Sequence, residues 1–230
     1  RRLHLRRRIS QPIVTAVSFL GITLIQIMPW GFTRLVSRLF GAFVFAIPAY
    51  RRLILANLSV AFPEWSADRR LSVGRQSLQS VSQTFLESMW LLRRPHRVLE
   101  KFRLSDELKA ELRIADSVNQ GTIFVTPHLG NWEMSNMGLN ASGIPVSGVA
   151  APITNPYLDG VITRCRQMNG GAVIPVKGAA KGILVGLKAN RSIGLLIDQN
   201  TKTRRGGIYV DYFGLPVPVS RAPRMFARRA

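Results

Sequence analysis

Four short apolar runs recur in the second half of the chain, at residues 123–125, 146–150, 172–176 and 192–197. Between them lie stretches compatible with helix, at residues 134–139, 158–168 and 179–188. Runs of this length read as buried strands. Strands that alternate with helices join as crossovers, so the sequence predicts an α/β fold with a mostly parallel sheet flanked by helices. The first run leads into the segment TIFVTPHLGNWE, residues 122–133. A strand that ends in His128 and turns into a helix places the imidazole at the carboxyl edge of the sheet, where open α/β folds put their ligands.

Ahead of the sheet the pattern is helical. Ser66 is placed to cap a helix whose apolar positions run from Leu71 to Leu92, and Pro95 ends it. Residues 107–116 form a further helix, with Asn119, Gln120 and Gly121 as its C-cap. The N-terminus is different. Residues 9–33 carry no charge and follow a basic run, Arg1 to Arg8. Three arrangements fit: a single membrane anchor with a basic cytoplasmic flank, a helix lying on the membrane interface, or a signal peptide or buried helix. A second apolar stretch, residues 35–50, reads as a helix folded back on the first, with Pro29, Trp30 and Gly31 as the turn. This divides the chain into an N-terminal helical hairpin at residues 1–50, which serves as a membrane anchor, and an α/β domain at residues 51–230.

Charge narrows the partners. There are 32 Lys and Arg against 12 Asp and Glu, a formal net charge of +20. Such a surface attracts polyanions, and its combination with 47% hydrophobic residues favours a membrane surface over nucleic acid. No aromatic platform of the kind that stacks bases is evident, so no nucleic-acid partner is expected. Cys165 is the single cysteine, which excludes an intrachain disulfide and a cysteine-based zinc cluster. It lies between Arg164 and Arg166 and reads as a packing residue. No metal site and no resident cofactor is expected.

His128 and Glu133 carry the chemistry. A histidine suits removal of a hydroxyl proton, and a carboxylate can fix its tautomer. A spacing of five is not a same-face spacing within one helix. It works if His128 precedes the helix and Glu133 opens it, with Gly130 allowing the turn. The same pair also fits a capped strand–helix junction without catalysis. Asn131 is a donor for a bound carbonyl or phosphate, and Trp132 fits a core position.

The stretch from Pro127 to Glu133 resembles the H-x-x-x-x-[DE] motif of the lipid A biosynthesis lauroyl/myristoyl acyltransferase family, within the lysophospholipid acyltransferase superfamily. Three further segments resemble that family in the same order: Arg52 through Asn57 to Phe62-Pro63; Arg164-Cys165-Arg166 with Gly170-Gly171; and Asp198-Gln199 with Val210 to Gly214. The resemblance implies a glycerol-phosphate-acyltransferase-like fold held at the cytoplasmic face of the bacterial inner membrane. It also implies a further strand and helix beyond Ala230, so that the α/β domain is incomplete at its C-terminus. The implied reaction moves a fatty acyl group from acyl carrier protein or coenzyme A to a glycolipid hydroxyl. His128 is then the base and Glu133 its orienter, while Arg166 and Arg164 are the oxyanion donors, helped by backbone N–H groups near Gly130. Asn131, Gly130, Asp198 and Gln199 contact substrate. The two arginines also fit a solvated helix face, and Asp198 a turn cap. Arg1 to Arg8 and Lys202 to Arg205 are contact patches for an acidic carrier protein or anionic lipid. Two other functions fit the residues: an acyltransferase acting on a phosphatidylinositol mannoside, an aminolipid or a lysophospholipid, and a non-enzymatic basic protein that binds membrane or nucleic acid.

Overall fold

The computed structural model describes residues 2–117 and 121–229, and at residues 2–10, 116 and 205 the backbone alone. The expected C-cap at Asn119 and Gln120 and the side chains of the basic run from Arg1 to Arg8 lie outside the described residues.

Six helices precede the sheet: α1 Arg2–Ile27, α2 Trp30–Ala46, α3 Pro48–Ala61, α4 Ala67–Leu91, the single turn α5 Val98–Lys101, and α6 Asp106–Ser117. The sheet follows as β1 Ile123–Thr126, β2 Val146–Ala150, β3 Ala172–Pro175 and β4 Ser192–Leu196, all parallel, in the order β1-β4-β2-β3. The helices α7 Trp132–Ala141, α8 Pro156–Arg166 and α9 Ala179–Lys188 connect the strands. The chain then makes a hairpin, β5 Gly207–Tyr212 with β6 Leu215–Ser220, and a short helix α10, Ala222–Ala227. The expected α/β fold and its four parallel strands are present.

Three elements carry no clear signal in the sequence. Helix α3 buries none of its residues fully: of its large apolar side chains only Ile54, Leu55 and Leu58 are half-buried, a stripe too short to stand out in the sequence. Strand β6 contains Pro216 and Pro218, which cannot donate to a ladder; they are tolerated because β6 pairs on one side only, with β5. The turn between the two strands has Phe213 and Gly214 both at positive φ, the pattern of a tight hairpin turn. Phe213 then packs edge-on against Phe62, with ring centroids 5.1 Å apart. The third is α10, six residues long, of which Phe226 is buried in the core beside β4.

Helix α4 organises the N-terminal half. Ser66 caps it, its Oγ accepting from the Arg69 N–H at 3.2 Å. Helix α2 lies against it through Thr33, Ser37, Gly41 and Phe45, a buried stripe at helical spacing. A Cβ on Gly41 would collide with the α4 backbone at Leu78 and Gln79, so only glycine permits the close approach. The end of α1 is held by the same helix. The Trp90 indole donates to the Met28 carbonyl at 2.7 Å, and Arg94 donates to the Gln26 carbonyl at 2.7 Å. These bonds satisfy carbonyls that a helix end leaves unpaired. Gln11 and Thr15, polar positions within the uncharged run, accept from Asn155 at the cap of α8.

Helices α1 and α2, joined by a turn at Met28 and Pro29, both pack on α4, and the core around Trp90 and Leu91 includes Ile25, Met28, Trp30 and Val36. Among the described residues no single helix is long and apolar enough to cross a membrane. The pair α2 and α3 is apolar but bent by 88°. A second core joins Ile183 and Leu187 of α9 to Ile193 and Leu195 of β4 and to Phe226.

Candidate active site

The parallel register builds the site. Thr126 of β1 pairs with Leu196 of β4. Two residues beyond each strand end stand His128 and Asp198, side by side at the carboxyl edge of the sheet. The Asp198 carboxylate takes both donors of the histidine: Oδ2 accepts from the His128 backbone N–H at 2.9 Å, and Oδ1 lies 2.7 Å from Nδ1. Burial alone would raise the pKa of Asp198. The His128 backbone N–H, the imidazole hydrogen bond and the imidazole charge together outweigh it and hold the carboxyl below its ordinary value. An ionised carboxylate only accepts, so Nδ1 carries a proton, and the neutral imidazole keeps its lone pair on Nε2. The Gln199 amide nitrogen lies 3.4 Å from Nε2. The Trp132 ring stands edge-on to the imidazole, with centroids 4.9 Å apart, and is itself backed by Phe85.

Glu133 takes a different place from the one its spacing suggests. It is buried at 4% exposure in the first turn of α7, and Arg166 at the end of α8 grips it. Arg166 Nε donates to both carboxylate oxygens at 3.2 and 3.0 Å, and Nη2 donates to Oε1 at 2.6 Å. Such a fork-on-fork pair is charge-assisted and geometrically specific. Among the described residues no hydrogen bond joins Glu133 to His128. The partner that orients the imidazole is Asp198, and Glu133 ties α7 to α8. The same pair turns two of the three Arg166 nitrogens away from an oxyanion role. Arg164 is exposed, on a different side of α8 from Arg166.

Asn131 caps α7, its Oδ1 accepting from the Met134 N–H at 2.9 Å, while its amide donates to Glu87 at 3.0 Å. Both ends of its side chain are engaged within the protein. Gly130 has φ +60°, a left-handed conformation, and its carbonyl accepts from the Thr84 hydroxyl at 3.0 Å. Sequence reasoning misses Thr84 and Glu87 altogether. Both sit inside the long helix α4, with nothing local to mark them.

Cys165 is buried, its thiol pushed up to about 12 chiefly by burial and then by the charge of Glu133, against the lowering effect of Arg164 and Arg166. The packing role expected of it fits that environment. A cavity of about 330 Å³ lies at the opposite, amino edge of the sheet, lined by Leu112, Arg113, Thr122, Ile144 and Ser192 among others, and none of the residues expected to act in chemistry lines it.

By fold and site this is an α/β protein whose parallel sheet presents an aspartate-anchored histidine at its carboxyl edge. The family model described as bacterial lipid A biosynthesis acyltransferase matches residues 4–230, and the chain belongs to that family. A protein of Haemophilus influenzae named lipid A biosynthesis acyltransferase is 24% identical over 159 residues, which cover 69% of this chain and 49% of that protein. The chain thus matches about half the length of this curated relative.

Proposed function

We propose that the protein is an O-acyltransferase that moves a fatty acyl group from an acyl thioester to a hydroxyl of a membrane glycolipid, a lipid A precursor. The observation that carries this reading is the His128–Asp198 pair, with Nδ1 bound at 2.7 Å and the Nε2 lone pair facing away from the aspartate. The acceptor hydroxyl gives its proton to Nε2 as its oxygen attacks the thioester carbonyl. The tetrahedral intermediate collapses, the C–S bond breaks, and the leaving thiolate takes the proton back from the imidazolium. Asp198 stabilises that imidazolium throughout. The acyl group passes directly between substrates, with no acyl-enzyme. Gln199, now on Nε2, gives way to the acceptor hydroxyl. Backbone N–H groups in the first turn of α7 are suited to the developing oxyanion, because a helix N-terminus favours negative charge.

The donor is acyl carrier protein or coenzyme A, both acidic, and the exposed Lys202 and Arg204 beyond Asp198 supply complementary charge. The protein works at the cytoplasmic face of the inner membrane. Supporting this are the exposed apolar side chains of α1, α2 and α3, among them Val17, Leu20, Phe32, Leu39, Phe43 and Leu53. An interfacial seat fits helices of this length and bend better than a span.

The experiment is transfer of a radiolabelled lauroyl group from its carrier-protein and coenzyme A thioesters to a lipid extract of membranes lacking the gene. The full-length protein should label a glycolipid, and His128→Ala should abolish the label while vesicle binding persists. Undiminished transfer by His128→Ala would remove the base from the mechanism.

A further inference from the structure

We infer that Thr84 and Glu87 of α4 are positioning residues: they clamp the Gly130–Asn131 turn and so set His128 and Glu133 in their places. This rests on the acyltransferase reading for its kinetic consequence, though not for its geometry.

The turn needs an external hold. Gly130 is in the left-handed region, and nothing lies within 4 Å of where its Cβ would be, so packing does not wedge the backbone there. Two hydrogen bonds from one helix face take that role. The single Thr84 hydroxyl proton lies between the Gly130 carbonyl at 3.0 Å and the Ser80 carbonyl of its own helix at 3.2 Å, and three residues on, Glu87 accepts from the Asn131 amide at 3.0 Å. Residues three apart on a helix share a face. Both side chains are buried, Thr84 at 1% and Glu87 at 6% exposure.

The Glu87 carboxylate is an acceptor in a ring of donors. Gln83 Nε2 donates to it at 2.6 Å, Asn131 at 3.0 Å, and Arg34 Nε of α2 lies 3.8 Å away. A carboxylate is costly to bury unless it is paired and hydrogen-bonded. Asn131 can only donate to it, since the Asn131 oxygen is already committed to the α7 cap. The Gln83 amide can turn over and accept instead. Glutamine at position 87 therefore keeps the clamp, its oxygen on Asn131 and its amide on the turned Gln83. Leucine at position 87 offers no acceptor and leaves the buried Asn131 amide unpaired.

The downstream reach is short. Asn131 caps the helix whose first turn carries Glu133, and His128 stands two residues before Gly130. A shift of about 1 Å in a reacting group costs on the order of a hundredfold in rate.

The test compares Thr84→Val, Thr84→Ser, Glu87→Leu and Glu87→Gln in the full-length protein. Ser88→Ala is the control, equally buried on α4 but donating to the Thr84 carbonyl rather than to the turn. With the lauroyl thioesters and lipid extract, Thr84→Val and Glu87→Leu should lose about tenfold to a hundredfold in kcat with KM within about twofold. Thr84→Ser and Glu87→Gln should keep most of the activity, and Ser88→Ala should keep kcat whatever its melting temperature. The second readout is 1H–15N NMR of the His128 imidazole. The Nδ1–H tautomer of the wild type should give way toward Nε2–H in the two impaired variants only. Unchanged kcat and tautomer in Thr84→Val and Glu87→Leu, with His128→Ala inactive, would overturn the clamp and leave the function standing. Equal losses in Ser88→Ala would reduce the residues to ordinary packing. If the wild type transfers nothing, the function falls and the tautomer measurement alone decides the clamp.

Discussion

His128 and Asp198 are 70 residues apart in sequence and stand at one level of the sheet, because Thr126 and Leu196 are register partners in adjacent parallel strands. Two bonds join them, one through the backbone N–H and one through Nδ1. Asp198→Asn keeps the shape but can offer its amide to the imidazole, favouring the tautomer with Nε2 protonated. The expected loss in kcat is about three to four orders of magnitude, as for the same change in a serine-protease triad. Steady-state acyl transfer together with far-UV circular dichroism checks it: the fold should be retained while the rate collapses.

Glu133 and Arg166 should behave as a buried ion pair. Removing one partner strands the other charge, so Arg166→Met should cost about 3–5 kcal/mol, and Glu133→Met a similar amount. Replacing both with methionine should cost clearly less than either single change, because no unpaired charge remains. Urea denaturation of the two single variants and the double variant gives the coupling energy. A double variant as unstable as the sum of the singles would mean that Glu133 has a further charged partner, with His128 the first to consider.

The assignment of partners shows where sequence pattern runs out. Strand β2 at residues 146–150 and helix α9 at residues 179–188 have the bounds their apolar runs predict. Those runs say nothing about which strand lies beside β1. The four strands are similar in length and apolarity, and the order β1-β4-β2-β3 comes from how the crossovers pack. Without that order the carboxylate nearest His128 in sequence is Glu133. With it, the residues two places past β1 and past β4 become a pair. Thr84 and Glu87 are hidden for a related reason: they look like polar positions on an amphipathic helix, and only the tertiary fold brings the Gly130 turn against them.

Asp198 also predicts a pH dependence. Its carboxyl titrates below the ordinary value in the folded protein, so the unfolded chain takes up the proton first as pH falls. The stabilisation from the His128 pair is therefore full above the unfolded value near 3.9 and is lost as pH drops through the lower folded value. The stability gap between wild type and Asp198→Asn should be constant from about pH 5 to 6 and close below about pH 4. Urea midpoints measured across that range report it; a gap that widens on acidification contradicts the assignment.

Cys165 should be silent in the native protein. Its thiol is pushed up to about 12, burial being the first cause and the Glu133 charge the second. At pH 8 the thiolate that iodoacetamide requires is nearly absent, and the side chain is 1% exposed, with Sγ donating to the Ser88 carbonyl at 3.6 Å. Native protein should resist alkylation for hours and react within minutes in guanidinium chloride, as intact mass reports. The alkaline limb follows with the opposite sign to Asp198. The unfolded thiol ionises near 8.5 and the folded one at about 12, so the thiol's contribution is whole below the first value and falls away as pH rises toward the second. Cys165→Ala removes that slope. Its stability relative to wild type should improve steadily between about pH 9 and 11, and a flat difference over that interval would show that α8 opens to solvent well before the chain unfolds.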